Sequence, residues 1–366
     1  MKFSIDRDAL LKPLQLVSGA VERRHNLPIL ANLLVEVSGH SLKLTGTDLE
    51  VELVGQAQLH GDIVEGQTTV PAKKLLDIVK SLPEQTEIKV EQQDNKWLLR
   101  CGRSRFSLAT LPAQEYPNVD AFQADTELTL KQGTLKSLID ATQFSMANQD
   151  VRYYLNGLLL ETEGNMLRAI ATDGHRLALS HRTTEANLPE RQVIVPRKGV
   201  MELARLMDGD DQDITLAIGE NAIRATTANA VFTSKLVDGR FPDYRRVLPK
   251  GGDKIVIASR HHLKQALTRA SILSNEKFRG VRIQLEPGLM KITANNPEQE
   301  EAEEIIDIDY QGQALEIGFN VSYLLDVLNN LKNEDVRITL IDGNSSALLE
   351  NYQDQDSMYV VMPMRL

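Results

Sequence analysis

The sequence predicts an α+β protein of three similar domains, each with two helices and antiparallel sheets. Three observations carry that prediction. A short motif returns in each third of the chain, as KLTGTD at 43–48, RAIATD at 168–173 and KITANN at 291–296. Apolar stripes at helical spacing stand at matching points before and after it. Between the stripes, apolar and polar residues alternate as they do in half-buried antiparallel strands. The 366 residues exceed what one hydrophobic core ordinarily serves, and a third of them, about 122, is enough for one. Repeats of that size are domains, since solenoid repeats run to roughly 20–50 residues.

Each unit opens on a helix. Its buried stripe reads Leu10, Leu11, Leu14 and Val17 in the first copy, Leu135, Leu138 and Ile139 in the second, and Leu263, Ala266, Leu267 and Ala270 in the third. An apolar strand follows: ILANLLVEV from Ile29, YLNGLLLE from Tyr154, FRGVRIQLE from Phe278. The recurring motif comes next, and then alternation, with Leu49, Val51 and Leu53 around Glu50 and Glu52, or Ile306, Ile308 and Tyr310 around Asp307 and Asp309. A second helix is predicted from VPAKKLLDIVKSL at Val70, VPRKGVMELARLM at Val195 and FNVSYLLDVLNNL at Phe319. Its stripes, such as Leu75, Ile78, Val79 and Leu82, follow i, i+3, i+4, i+7, and Pro71 and Pro196 suit a first helical turn, where a missing N–H costs nothing. Turn-rich polar stretches at 121–127 and 249–254 set the expected domains at 1–125, 126–253 and 254–366.

Composition narrows the function. The chain is 42% hydrophobic and 25% charged, ordinary for a packed soluble protein. No apolar run approaches the ~20 residues that span a bilayer, and the charged start MKFSIDRDALLKPL does not suit a signal peptide, so a cytoplasmic protein is expected. The single cysteine, Cys101, forbids an internal disulfide. Neither G-x-x-x-x-G-K-[ST] nor G-x-G-x-x-G occurs. His261 and His262 are adjacent, so on a helix they point about 100° apart and cannot chelate as an i, i+4 pair would. Asp173, His175 and Ser180 lie along one extended segment, too spread for a triad, and Cys101 in RCGRSRF lacks a partner base. No catalytic residue, metal or cofactor is expected. An enzyme would show a pocket of convergent titratable groups, and a bare protein scaffold is the other alternative.

The net charge is −10. By thirds, residues 1–122 carry 14 basic and 16 acidic groups, 123–253 carry 16 and 18, and 254–366 carry 11 and 17. The acid excess gathers in NNPEQEEAEEIIDIDY, while lysines and arginines cluster on helices and at their ends, which gives the molecule two electrostatic faces. Arg100, Arg103 and Arg105, with Phe106 and Leu108, complement Glu298, Glu300, Glu301, Glu303 and Glu304. That pairing suits a head-to-tail joint between two chains.

The segments GTDLE, SRFSLATLP, QDVRYYLNG, ATDGHRLAL, VPRKG, FTSKLVDGRFPDY, SNEKFRG, ANNPEQEEAEE, GFNVSYLLDVL and YVVMPMRL strongly resemble the bacterial DNA polymerase III beta subunit, the family of DNA sliding clamps, from Met1 to Leu366. The resemblance implies the DNA clamp fold: two chains closed head to tail into a six-domain ring, helices lining the hole and strands forming the outer layer. It implies a non-enzymatic processivity factor around double-stranded DNA, without base readout, because tight phosphate contacts would resist sliding. Arg24, Gln149, Tyr153 and Tyr154 resemble the family's DNA-contacting residues, and Arg197 and Lys198 are added from helix charge alone. Phe106 and Leu108 would meet Ile272 and Leu273 of the other chain. Lys74, Arg103 and Arg105 would stand opposite Glu298, Glu300, Glu301 and Glu304.

The C-terminus YVVMPMRL is unusually apolar. Val361 suits a final buried strand, whereas Val360, Met362, Pro363 and Met364 suit an adaptable apolar site, because methionine is flexible and polarizable. The resemblance brings Leu155, Thr172, Gly174, His175, Arg176 and Leu177 to the same cleft. It adds Pro242, Arg246, Val247 and Phe278, then Asn320, Tyr323, Ser346 and Arg365. Such a cleft takes short peptides, typically a glutamine followed by aliphatic and aromatic residues. Its implied owners are the DNA polymerase III alpha subunit, the clamp loader, other polymerases and repair factors, with no membrane partner. Asn344 stands where the family often has an apolar residue, and Lys96 where arginine is common, which keeps the charge and loses bidentate geometry.

Overall fold

The computed structural model describes residues 1–22, 26–117 and 122–366. Among them are six α-helices: α1 (Arg7–Ser18), α2 (Ala72–Ser81), α3 (Gln132–Asp140), α4 (Arg197–Leu206), α5 (Arg260–Ser271) and α6 (Val321–Asn330). The chain forms two compact units, one of Met1–Leu135 with Lys198–Leu236, the other of Lys136–Arg197 with Val237–Leu366. The second sequence repeat therefore contributes to both.

In the first unit, an eight-stranded antiparallel sheet runs in the order Thr126–Lys131, Asp213–Ile218, Ala222–Thr226, Ala230–Lys235, Val51–Gln58, Ser41–Thr47, Asn32–Ser38, Gly66–Pro71. Its seam is the pairing of Ala230–Lys235 with Val51–Gln58, where Phe232 lies opposite Leu53 and both are fully buried. Helix α1 covers this sheet with the stripe the sequence predicts: Leu10, Leu14 and Val17 have no exposed surface. Two glycines permit the close approach. A Cβ on Gly46 would stand 2.3 Å from the Val17 carbonyl oxygen, and one on Gly55 would stand 2.8 Å from Pro13. A second sheet has the order His60–Val64, Lys2–Asp6, Glu87–Gln93, Lys96–Cys101, Ser104–Ala109.

The second unit repeats the plan. Its larger sheet has the order Gly157–Thr172, Arg176–Pro196, Ser357–Val361, Ala347–Asn351, Asp335–Leu340, Lys254–Ser259. The first two strands form one long hairpin whose register shifts near Gly164, and each half of each strand matches one strand of the first unit. The seam here is Arg176–Ser180 on Ser357–Val361, with Ala178 opposite Tyr359. A four-stranded sheet, Glu301–Asp307, Leu289–Asn295, Gly280–Glu286, Leu315–Asn320, packs with α5 and α6 around an apolar core that includes Leu263, Leu267, Ile292, Phe319 and Leu328.

The strand count is informative. The four-stranded sheet of the third repeat corresponds to the four strands that the first repeat brings to its seam. The five-stranded sheet of the first repeat corresponds to the four that the second brings, with His60–Val64 added. Among the described residues there are thus two complete seamed sheets and two sheets that each match half of one. The halves end on Ser104–Ala109 and Glu301–Asp307.

Three local expectations are corrected. Leu49 is not a strand residue: it is exposed, with φ 77°, in the turn before Val51, where Asp48 accepts hydrogen bonds from the Glu50 and Val51 amides. Pro71 and Pro196 close the preceding strands and sit one residue ahead of α2 and α4. Their fixed φ serves the extended approach rather than the first turn.

Candidate interaction surfaces

Two of the surfaces expected from the sequence lie within the second unit. The first is a loop. Residues 147–156 are closed by the Ala147 amide on the Leu155 carbonyl (3.0 Å), and Asn156 exchanges hydrogen bonds with the backbone of Asp150 in both directions. Gln149 stands exposed in the left-handed region at φ 56°. Hydrogen bonds from the Arg152 side chain and backbone hold the Asp150 carboxyl down at about 2. The loop thus presents Gln149, the 94% exposed Val151 and the 57% exposed Tyr153, whose ring meets that of Tyr154 edge-on at 5.8 Å. An exposed aliphatic and an exposed aromatic side chain two residues apart, on a backbone this well tied, are available for contact. Arg24 lies outside the described residues.

The two cations chosen from helix charge have internal tasks. Arg197 donates to the Met146 and Ala147 carbonyls at 3.3 and 3.5 Å, so it braces the loop from behind. Lys198, in the first unit, is paired with the buried Asp48 carboxylate and also donates to the Ala20 carbonyl. Lys198 therefore has an internal tie within the first unit that charge on a helix end did not suggest.

The second surface is the cleft. Its floor is Leu155, Leu177 and Val360, packed in one apolar cluster with Phe241 and Tyr244. These three are essentially closed to solvent, so Val360 is floor rather than the adaptable wall its sequence context suggested. One side is the turn after Ile170. Asp173 accepts from the His175 and Arg176 amides (2.9 and 3.1 Å), and the Thr172 hydroxyl caps the turn from inside. Gly174 adopts φ +90°, with Arg152 3.0 Å from where a Cβ would be, so only glycine fits. The Asp173–His175 pair is thus a turn device, and Ser180 bonds Ser357 at 2.8 Å instead of either.

Arg176 organises the middle of the cleft. Its guanidinium lies 4.6 Å from the Tyr323 ring and 5.6 Å from Phe144, and it contacts Asp173, Asp326 and the Phe144 carbonyl. The His175 ring stacks on Tyr323 at 6.4 Å. Burial raises the Tyr323 pKa, with the Asp173 charge adding to it, so the phenol stays neutral. Asp326 and Phe144 were not foreseen; the stripe of α6 assigns only its apolar positions.

The opposite side is an open depression lined by Arg246, Val247, Leu248, Asn344 and Ser346 among others, with Pro242 exposed just before it. Asn344, the departure noted in the sequence, does line it, and makes this end more polar. The C-terminal tail closes the third side. The Met362 amide donates to the His175 carbonyl (3.0 Å) and the Met364 amide to the Gly318 carbonyl (2.9 Å). Met362 is 47% exposed, Pro363 and Met364 are half-buried, and Arg365 faces solvent. Phe278 is exposed near this tail, two residues before Gly280, on which Leu366 rests, and Asn320 caps α6 through the Ser322 amide. The result is a groove with an apolar floor, a flexible methionine wall, one largely covered cation and polar rims, a combination suited to an extended peptide.

The remaining sequence-derived surface is the pair of half-sheet ends. On Ser104–Ala109, Phe106 is half-buried, Leu108 is already covered by its own sheet, and Arg103 and Arg105 are exposed. Lys74 is exposed on α2. At the other end, Ile272 is 73% exposed, Leu273 is half-buried, and Glu298, Glu300 and Glu301 face solvent. Glu304 is held by Arg269 in a two-pronged pair at 2.6 and 2.9 Å, so it is not a free acceptor. Among the described residues, no group of three or more His, Cys, Asp or Glu stands together as metal ligands would, and no helix is long and apolar enough to cross a membrane.

Comparison with known proteins matches the whole chain. Family models described as the N-terminal, central and C-terminal domains of the DNA polymerase III beta subunit match residues 1–120, 129–243 and 245–365. The beta sliding clamps of Salmonella typhimurium and Escherichia coli K12 are each 59% identical over 366 residues, covering 100% of both chains. The solved structure of the Pseudomonas aeruginosa sliding clamp bound to griselimycin superposes with a TM-score of 0.98 at 56% identity, again over 100% of both chains. Caulobacter crescentus pol III beta gives 0.93 at 38%, over 100% of each.

Proposed function

The chain belongs to the DNA polymerase III beta-subunit family and is a DNA sliding clamp, and from that premise we propose how its own residues do the work: two copies close head to tail around duplex DNA and tether polymerases through the groove of the second unit. The reading is of a processivity factor with no catalytic site of its own, organised as three domains over 1–125, 126–253 and 254–366. Its retention on DNA is topological. Few strong phosphate contacts are needed, which agrees with a net charge of −10.

The observation that carries this reading is the strand count. Two seams are complete, and the ends Ser104–Ala109 and Glu301–Asp307 are the halves of a third. Equivalent positions give its register. Phe232 and Tyr359 sit at the complete seams opposite Leu53 and Ala178. Their counterparts are Phe106 of one copy and Ala302 of the other, which puts Arg105 opposite Glu303 with Glu301 next along the same face. Phe232 and Tyr359 are fully buried and Phe106 is not, so the burial it lacks is what a second copy supplies. Phe144, 5.7 Å from Tyr359, has Ile272 as its counterpart, which would bring Ile272 onto Phe106. Opposite charges along the two ends favour that partner over a like one.

Assembly on circular duplex DNA tests the proposal. Loaded protein should stay on the circle through gel filtration in high salt and leave when the DNA is cut. Retention after cutting, or loss from intact circles, would refute encirclement. Direct DNA contact is tested by replacing Arg24 and Gln149 with alanine. Loss of two polar contacts should weaken low-salt DNA binding roughly tenfold, with the sedimentation of the dimer unaltered. Unchanged binding and loading would remove both residues from the contact set.

A further inference from the structure

We propose that Glu161 and Tyr244 are positioning residues of the peptide groove: they lock the turn that presents Arg246 and Val247. The inference rests on the groove reading above.

Glu161 is 2% exposed on the strand Gly157–Thr172. Its carboxylate accepts from the Tyr244 hydroxyl at 2.5 Å, from Arg168 at 2.9 Å, from Arg245 at 3.1 Å and from Gln192. Arg168 also reaches Glu163 at 2.9 Å, so two guanidinium groups bridge two carboxylates around one phenol. Burial alone would raise the Glu161 carboxyl, but hydrogen bonds from Tyr244 and Gln192 and the Arg245 charge outweigh it and keep it ionised. Burial and the Glu161 contact push the phenol upward, so it remains a donor. A charge this deep is tolerated only because its acceptor sites are filled, and removal of one donor is felt by the rest.

The cluster meets the groove through one member. Its link is Tyr244, which opens the short turn Tyr244–Arg246. The Tyr244 ring is buried with Leu155, Leu177 and Val360, and its carbonyl accepts from the Val247 and Leu248 amides at 3.0 and 3.3 Å. One residue therefore joins the groove floor, the buried carboxylate and the turn. The two side chains next in line point out: the Arg246 side chain is 87% exposed and Val247 is 42% exposed. Arg246 has one tie of its own, an ion pair to Asp243 at 3.2 Å, and Val247, the residue after the turn, is largely uncovered, so the place of both also depends on the anchor that fixes the turn. Without it the binding-ready fraction falls, and apparent affinity falls with it.

The test uses the full-length protein and a synthetic peptide with a glutamine followed by aliphatic and aromatic residues. Tyr244→Phe keeps the ring and removes only the donor. Peptide affinity should drop about tenfold, the effect of one hydrogen bond to a charged group. Amide exchange at Val247 and Leu248 should quicken, and in a Val247→Ala background the same change should have little further effect, as expected when one residue acts through the other. Glu161→Gln, which keeps an acceptor oxygen, should move affinity and exchange in the same direction by less; it serves if Tyr244→Phe misfolds. Wild-type affinity in Tyr244→Phe, or full additivity with Val247→Ala, overturns the proposal while leaving the groove intact. If Val247→Ala and loss of the C-terminal tail both leave peptide binding unchanged, the groove reading itself fails and this inference with it.

Discussion

Replacing Ile272 and Leu273 with charged residues should convert the dimer into soluble monomers. Ile272 follows the last turn of α5 with 73% of its surface exposed, an unusual burden for a large aliphatic side chain. A head-to-tail ring contains the joint twice, so two largely exposed Ile272 and two half-buried Leu273 side chains lose their cover at once. At roughly 1.5–3 kcal/mol for a fully buried side chain, scaled to the surface each still exposes, the loss amounts to about 3–6 kcal/mol, or at least two orders of magnitude in dimer affinity. Introduced charges facing Phe106 make it larger, because a buried unpaired charge must neutralise or leave. Each monomer should keep its melting transition, since neither residue contributes to the cores around Leu263, Leu267 and Phe319. Analytical ultracentrifugation decides the matter: a variant that remains fully dimeric at nanomolar concentration would place the joint elsewhere. Leu108→Ala is the informative contrast, because that side chain is already covered by its own sheet and its loss should cost folding stability before it costs dimerisation.

The sequence carried the repeat and most of the helices because both depend on periodic burial. Leu10, Leu14, Val17, Leu263, Ala266, Leu267 and Ala270 are all buried as their spacing requires. What it could not carry was pairing between repeats. Nothing in AVFTSK or in VELVG says that Ala230 will face Gly55, since any half-buried strand offers the same backbone donors and acceptors. The compact units for that reason do not follow the repeats. Apart from its methionine wall, which the apolar C-terminus suggested, the groove was legible only by resemblance. Arg176 looks like any surface arginine until Tyr323 and Asp326, 147 and 150 residues along the chain, close on it. Glu161 gave no signal, because a lone glutamate in YLNGLLLE reads as a solvated position in an alternating strand. The tie of Lys198 was equally hidden: charge on a helix end suggested solvent and ligand, and the buried Asp48 that pairs with it lies 150 residues away.

Deletion of Met362–Leu366 should abolish peptide binding and leave the ring intact. The cut falls just after the strand Ser357–Val361, whose ladder to Ala347–Asn351 and to Arg176–Ser180 survives whole. The folding cost is confined to the two hydrogen bonds donated by the Met362 and Met364 amides and to the packing of Leu366 on Gly280 and Gly318. The groove, in contrast, loses an entire wall. Its floor of Leu155, Leu177 and Val360 is nearly closed while the tail is present, so the apolar contact a ligand can make lies mostly with Met362 and its neighbours. Losing two apolar anchors at about 2 kcal/mol each weakens a peptide on the order of a thousandfold, below detection for a micromolar ligand. Met362→Ala alone should account for about thirtyfold of this, which separates loss of contact from any disturbance by the cut. Titration of a labelled polymerase peptide, with sedimentation on the same samples, reads both quantities. A truncated dimer that binds the peptide with full affinity would show that the ligand seats on the Arg246–Ser346 depression without the tail. A truncated chain that no longer dimerises would mean that the tail supports the fold rather than the ligand, because the joint at Phe106 and Ile272 involves none of the deleted residues.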